Sequence, residues 1–240
     1  MIDKTSPLPI YYQLVEWIKG LIERGELKPG DSLPSEREYA ERFSISRMTV
    51  RQAITELVNG GYLYRQKGVG TFVAEKKIEQ QLMGLTSFTE DMKSRGMEPS
   101  SKLVGFEIVP APSYISQQLK IQEHAPVYEI KRIRLADGIP MALEKTYISA
   151  NLVKGLTEET VQHSLYHHIE HQLAIKIQEA TQVLESSVAT QQEAEYLNIQ
   201  KGAPILLIQR NTKLADETPL EVVKSSYRAD RYKFMITLKR

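Results

Sequence analysis

Two arginines and two helix-start signals beyond the first 80 residues of this 240-residue chain carry the residue types that bind an anion. Arg132 and Arg134 are two apart in a segment that reads as a strand. Their side chains therefore leave the same face, where two guanidinium forks can clamp one anion. Ser87-Phe88-Thr89-Glu90 has the spacing of a capping box, and Ser164-Leu165-Tyr166 opens a helix in the same way. The free amides at such helix starts bind anions, phosphate in particular.

Glu144 lies on the strand that returns after Asp137-Gly138. A two-residue turn would pair Lys131 with Glu144, whereas a three-residue turn would pair Arg132 with it and set the carboxylate beside the arginines. Pro140 cannot donate a ladder hydrogen bond, which favours the longer turn. Glu221 and Tyr227, from a later hairpin, can then reach the polar body of a sugar. Paired carboxylates such as Glu144 and Glu221 also suit an enzyme, but the first part of the chain, described next, has no role in such catalysis.

Ser35 with Glu38 makes another capping box and predicts a short helix over residues 36–43. Ser46 caps a second helix whose apolar positions Val50, Ile54, Leu57 and Val58 form one buried face, and Gly60-Gly61 ends it. Arg47, Thr49, Arg51 and Gln52 fall mostly on the opposite side, where such side chains read base edges in a major groove. Two short strands follow, Leu63 to Gln66 and Thr71 to Ala74, joined by Lys67-Gly68-Val69-Gly70. Gly68 allows a positive φ and lets the backbone approach a narrow groove, with Lys67 and Arg65 beside phosphates. An amphipathic helix from Ile10 toward Gly25 should buttress the pair. Helix pair, basic face and glycine-tipped hairpin make a winged helix-turn-helix.

The formal net charge is only +1, and acidic and basic residues balance over 1–75. From Arg47 to Phe72, however, the cations Arg47, Arg51, Arg65 and Lys67 face Glu56 alone, so the positive charge sits on the nucleic-acid face. The chain has no cysteine, which removes disulfides and thiolate metal sites and fits a reducing cytoplasm. The first residues carry no apolar signal core and no run reaches membrane-spanning length, so a soluble cytoplasmic protein without membrane contact is expected. His163, His167 and His171 recur every four residues, but on one helix they would span about 12 Å, too far for a single metal ion.

An internal repeat organises the second half. Leu119, Ile121, Gln122, Ala125 and Pro126 recur as Leu197, Ile199, Gln200, Ala203 and Pro204, and Leu135-Ala136-Asp137 with Pro140 recurs as Leu214-Ala215-Asp216 with Pro219. Each copy reads as short helix, strand, turn and returning strand, with residues 162–173 as a helix between the copies. The fold class is therefore α+β: a winged helix-turn-helix over 1–75, a connector over 76–83, and a mixed α/β domain over 84–240 with an antiparallel sheet.

Pro34-Ser35-Glu36-Arg37 and Thr49-Val50-Arg51-Gln52-Ala53, with the glycine wing behind them, resemble the GntR family of bacterial transcription regulators. The strand-rich second domain is similar to that of its HutC branch, whose UTRA-type effector-binding and dimerisation domain has a chorismate-lyase-like fold. The resemblance implies a homodimeric repressor, with Arg37, Arg47 and Gly68 on double-stranded operator DNA, no cofactor and no enzymatic activity. Residues 84–92, the stretch through Glu144 and residues 226–232 resemble repressors of amino-sugar utilisation in that branch. That likeness implies Phe88, Thr89, Arg132, Arg134, Ser164 and Tyr166 around the phosphate of glucosamine 6-phosphate or N-acetylglucosamine 6-phosphate, and Glu144, Glu221 and Tyr227 around its sugar.

Overall fold

The computed structural model describes residues 2–238 apart from Lys67, Lys76 and Met83. It divides into two compact units, Met1–Lys77 and Ile78–Arg240. No helix among the described residues is long and apolar enough to cross a membrane.

In the first unit, α1 (Ile10–Glu23), α2 (Glu36–Phe43) and α3 (Arg47–Asn59) precede a hairpin of β1 (Leu63–Gln66) and β2 (Gly70–Val73). Pro9, whose φ is pre-set, precedes the first turn of α1. The Ser35–Glu38 capping box starts α2, and the Ser46 hydroxyl accepts the Thr49 amide to start α3. Leu14, Val15 and Ile18 of α1 pack on Val50, Ala53, Ile54 and Leu57 of α3, with Tyr39, Leu33, Leu63 and Val73 closing the same core. Ala53 joins the buried stripe, and Val58 packs against it half-buried. The hairpin turn is closed by the Val69 amide on the Gln66 carbonyl, and Gly68 takes a φ of 76°.

The second unit opens with β3 (Ile78–Gln81), which pairs in parallel with the last strand, β10 (Tyr232–Met235). Four of the residues expected to form a connector are therefore strand. After α4 (Phe88–Ser94) come β4 (Pro99–Pro110), α5 (Ser113–Leu119), β5 (Pro126–Ala136) and β6 (Ile139–Ser149). Then follow α6 (Glu158–Gln162), α7 (Leu165–His167), a π-helical turn His168–Gln172, β7 (Ile177–Val188), α8 (Gln191–Leu197), β8 (Pro204–Leu214) and β9 (Pro219–Arg228). The six long strands form one antiparallel sheet in the order β4-β5-β6-β9-β8-β7.

That order is a pseudo-two-fold. β4, α5 and β5 recur as β7, α8 and β8 at a constant spacing of 78 residues, and the end of β6 recurs as the end of β9 at 79. The repeat thus extends to edge strands β4 and β7, which the sequence pattern did not show because both are half-exposed and alternate poorly. The axis passes between β6 and β9. Ala111, Ile115 and Leu119 around α5 and Ala194 and Leu197 of α8 cover one face of the sheet. On the other face, α4 and the α6–α7 segment stand over separate apolar clusters.

Two expectations need correction. The turn after β5 has two residues, Asp137 and Gly138, both at positive φ as a type I′ hairpin requires. Arg132 still pairs with Glu144, because a bulge at Met141, between the Arg134–Ala142 and Leu135–Pro140 pairs, supplies the register shift that a longer turn would have given. The second correction concerns residues 162–173, which are not one helix. His163 is extended, at φ −93° and ψ −154°, so that Ser164 can cap α7, and the chain then widens into the π turn. The three histidines share no single helical stripe. Only His167 and His171 meet, with ring centroids 4.4 Å apart.

Candidate effector pocket and nucleic-acid face

Four central strands bring the predicted anion and sugar residues onto one face. Register places Arg132, Glu144, Ser225 and Ile208 in one row across β5, β6, β9 and β8, and Arg134, Ala142, Tyr227 and Leu206 in the next. A third row contains Thr146, Val223 and Arg210, and a fourth Ile148, Glu221 and Thr212. Above them stand two capped starts, Ser87-Phe88-Thr89 of α4 and Ser164-Leu165-Tyr166 of α7. The pocket so enclosed holds about 540 Å³ of space counting its mouth, and Phe88, Thr89, Arg132, Arg134, Glu144, Ser164, Tyr166, Glu221 and Tyr227 all line it.

The helix starts contribute less dipole than full helices would, since α4 has seven residues and α7 three. They offer amides instead. In α4 the capping box takes the Ser87 and Glu90 amides, and no described hydrogen bond takes those of Phe88 and Thr89. In α7 the Ser164 hydroxyl accepts the His167 amide and leaves those of Leu165 and Tyr166. The serines thus act through the backbone they cap.

Arg132 is 4% exposed. It donates through Nη1 to the Val161 carbonyl at 2.6 Å and forms an ion pair through Nη2 with Glu144. Arg134, equally buried, donates to the Thr89 hydroxyl at 3.0 Å and lies over the Phe88 ring, 4.8 Å from its centroid. Burial pulls the Arg134 guanidinium down to about 10, and the neighbouring Arg132 charge adds to the effect. Burial opposes ionisation of Glu144, but the Arg132 and Arg134 charges outweigh it and hold the carboxyl below its ordinary value. Glu221 forms no ion pair among the described residues, although the Arg210 charge acts on it. It accepts the Tyr166 hydroxyl at 2.6 Å and the Thr212 hydroxyl at 2.9 Å, and burial leaves it above the ordinary carboxylate range. Burial also pushes Tyr227 up to about 12.

Three buried polar atoms on this wall, Arg132 Nε, Arg134 Nε and Thr146 Oγ1, have no hydrogen-bond partner among the described residues. Each such atom costs about 1–3 kcal/mol until something satisfies it.

The Arg132–Glu144 pair gives a first prediction. Because the folded carboxyl is held low, its stabilising contribution is present above the ordinary glutamate value of about 4.3 and disappears as the pH falls through the lowered value. Glu144→Gln leaves a buried guanidinium without its counter-charge, which costs about 3–5 kcal/mol. Thermal melts are expected to show a lower Tm for the variant at neutral pH, with the gap to the parent closing in acid.

Arg210 and Thr146 line the same pocket and were not foreseen. The repeat held the signal for Arg210, which stands seventy-eight positions after Arg132 and is its mate across the pseudo-axis. Its fork grips Gln182 Oε1 at 3.0 and 2.9 Å and the Thr86 carbonyl at 3.2 Å.

On the first unit, Arg37, Arg47, Arg51 and Gln52 are exposed along α2 and α3, and Gly68 is exposed at the tip of the hairpin. Thr49 is half-buried, its hydroxyl 2.8 Å from that of Ser46. Lys67 lies outside the described residues. Arg51 is tied to Glu36 at 3.0 Å, with Arg65 3.8 Å from the same carboxylate, so Glu36 organises this basic face. Arg37 pairs with Glu41 at 2.8 Å, and Arg47 makes no ion pair among the described residues. Met48, 67% exposed beside Arg47, adds an apolar group at the head of α3.

A profile described as "Bacterial regulatory proteins, gntR family" matches residues 10–73, and one for the UTRA domain matches residues 94–233. The HTH-type transcriptional repressor NagR of Bacillus subtilis is 53% identical over 234 residues, covering 98% of this chain and 96% of the relative. The chain belongs to the GntR family. Within it, this GntR regulator is a transcriptional repressor of the HutC type, similar to NagR. The mannosyl-D-glycerate transport/metabolism system repressor MngR of Escherichia coli is 35% identical over 97% of each chain. The crystal structure of PhnF from Mycobacterium smegmatis matches with a TM-score of 0.67 at 31% identity, covering 96% of this chain and 99% of that one. These relatives are regulators rather than enzymes.

Proposed function

We propose that this GntR regulator is a homodimer that represses from a palindromic operator and releases it when glucosamine 6-phosphate or N-acetylglucosamine 6-phosphate fills the pocket, thereby controlling amino-sugar uptake and catabolism. The observation that carries the reading is the wall of unclaimed buried donors. Arg132 Nε and Arg134 Nε, with the amides of Phe88 and Thr89, offer a phosphate more donors than the protein uses itself. A phosphate dianion supplies acceptors for both Nε atoms and the counter-charge that Arg134 lacks. Ser164 and Tyr166 close the phosphate end, while Glu144, Glu221 and Tyr227 face the sugar.

On the DNA side, the exposed arginines of α2 and α3 and the Gly68 tip suit one half-site, and a two-fold pair of such units reads a palindrome. The effector needs only to bind one arrangement of the repressor better than the DNA-bound one. A preference of about 1–3 kcal/mol shifts operator affinity about five- to 150-fold.

Fluorescence anisotropy of a palindromic operator duplex at fixed salt tests the reading. Both amino-sugar phosphates, another phosphorylated sugar and inorganic phosphate are titrated in parallel. Release by an amino-sugar phosphate, without release by inorganic phosphate, is the expected result. Release by the other sugar phosphate alone would reassign the effector, and binding indifferent to all of them would remove the sugar from the mechanism.

A further inference from the structure

The two carboxylates of the pocket stand in opposite circumstances. Glu144 is closed off by its ion pair with Arg132. Glu221, 2% exposed, lines the pocket and receives only hydroxyls among the described residues, both on Oε1, so no described hydrogen bond claims Oε2. The charged and titratable groups around Glu221 are Tyr166 from α7, Arg210 from β8 and Glu144 from β6. The Arg210 fork hydrogen-bonds Gln182 and the Thr86 carbonyl and its charge acts on Tyr166 and Glu221 without forming an ion pair with Glu221 among the described residues, while the charge of Glu144 is met by Arg132. A ligand ammonium would therefore find at Glu221 a buried carboxylate with no ion pair among the described residues, and would supply the missing half of a salt bridge. An acetamide at the same place carries no charge: its N–H can donate to the carboxylate but without the ion pair, and its carbonyl accepts from Glu221 only when the acid is protonated.

We infer that Glu221 is the residue that sets the pocket's preference between a free amino-sugar phosphate and its N-acetylated form, the ionised carboxylate selecting the ammonium and the neutral acid the acetamide. The inference rests on the amino-sugar phosphate reading above. Burial favours the neutral acid and raises the Glu221 carboxyl above its ordinary value, so the balance between the two forms follows pH. The phosphate titrates alike in both ligands and cancels from the ratio of their affinities.

Calorimetric titration of the full chain with glucosamine 6-phosphate, N-acetylglucosamine 6-phosphate and glucose 6-phosphate tests this. In the parent protein, the affinity ratio of amine to acetamide should rise with pH up to about pH 7, below which the amine stays largely protonated. Glu221→Gln should lower that ratio about tenfold or more at the upper pH and make it independent of pH, while Glu221→Asp retains the trend. A ratio unmoved by pH in the parent protein overturns the inference, even should Glu221→Gln fail to fold. Equal weakening of all three sugars in Glu221→Gln also overturns it, by placing Glu221 on a hydroxyl they share. If the parent protein binds neither amino-sugar phosphate, both the inference and the reading beneath it fall, an outcome distinct from binding without discrimination.

Discussion

Arg134→Ala is expected to leave operator affinity unchanged while raising the effector concentration needed for release by about thirtyfold to several thousandfold. The range corresponds to about 2–5 kcal/mol for truncating a buried, hydrogen-bonded charge that meets a charged partner. Two features make this arginine the informative one. Its Nε has no partner among the described residues, and its remaining contacts are the Thr89 hydroxyl and the Phe88 ring rather than a carboxylate. Truncation therefore strands no buried acid, and the Tm should move little. Arg132→Ala would instead abandon Glu144 and destabilise the unit, confusing loss of fold with loss of binding. Operator anisotropy with titrated amino-sugar phosphate measures the effect. Release at the parental concentration would show that the phosphate is held elsewhere.

Arg47→Ala is expected to weaken specific operator binding by about fivefold to 150-fold, the cost of one good base contact of about 1–3 kcal/mol. Arg47 is exposed on the first turn of α3 with no described ion pair, so its loss should not change the Tm. Arg37→Ala should cost less, because Arg37 must first leave Glu41 at 2.8 Å. Anisotropy against operator variants and over a salt series separates the two ways in which Arg47 can act. A base contact relaxes discrimination at one position, whereas a phosphate contact weakens all duplexes alike and lowers the salt slope by about one.

The sequence was most legible where structure is decided locally. Ser35 with Glu38 and Ser46 with Thr49 each fix a helix start within four residues, and both starts fall where the spacing places them. The repeat was legible because Pro126 and Pro204 open equivalent strands with the same residues ahead of them. What escaped was decided between elements. The bulge at Met141 is a property of the β5–β6 pairing, which the Asp137-Gly138 turn constrains only in part. Residues 162–173 carry helical periodicity, yet Ser164 caps a new start there and breaks the run. Thr146 looks like any strand threonine until its neighbours are known. Arg210 was readable in principle, but only by carrying the 78-residue spacing from the matched string into the strands.

The pseudo-two-fold sets a limit on how a ligand can lie. A pocket straddling a true dyad offers the same groups from either side and accepts a molecule in two opposite orientations. Here three of the facing pairs have diverged: Arg134 stands opposite Thr212 in the repeat, Glu144 opposite Val223, and Ala142 opposite Glu221. Reversing the ligand would bring its phosphate away from Arg134 and toward Glu221, so one direction is forbidden by charge. The two copies share a backbone, and polarity enters through side-chain exchanges such as these.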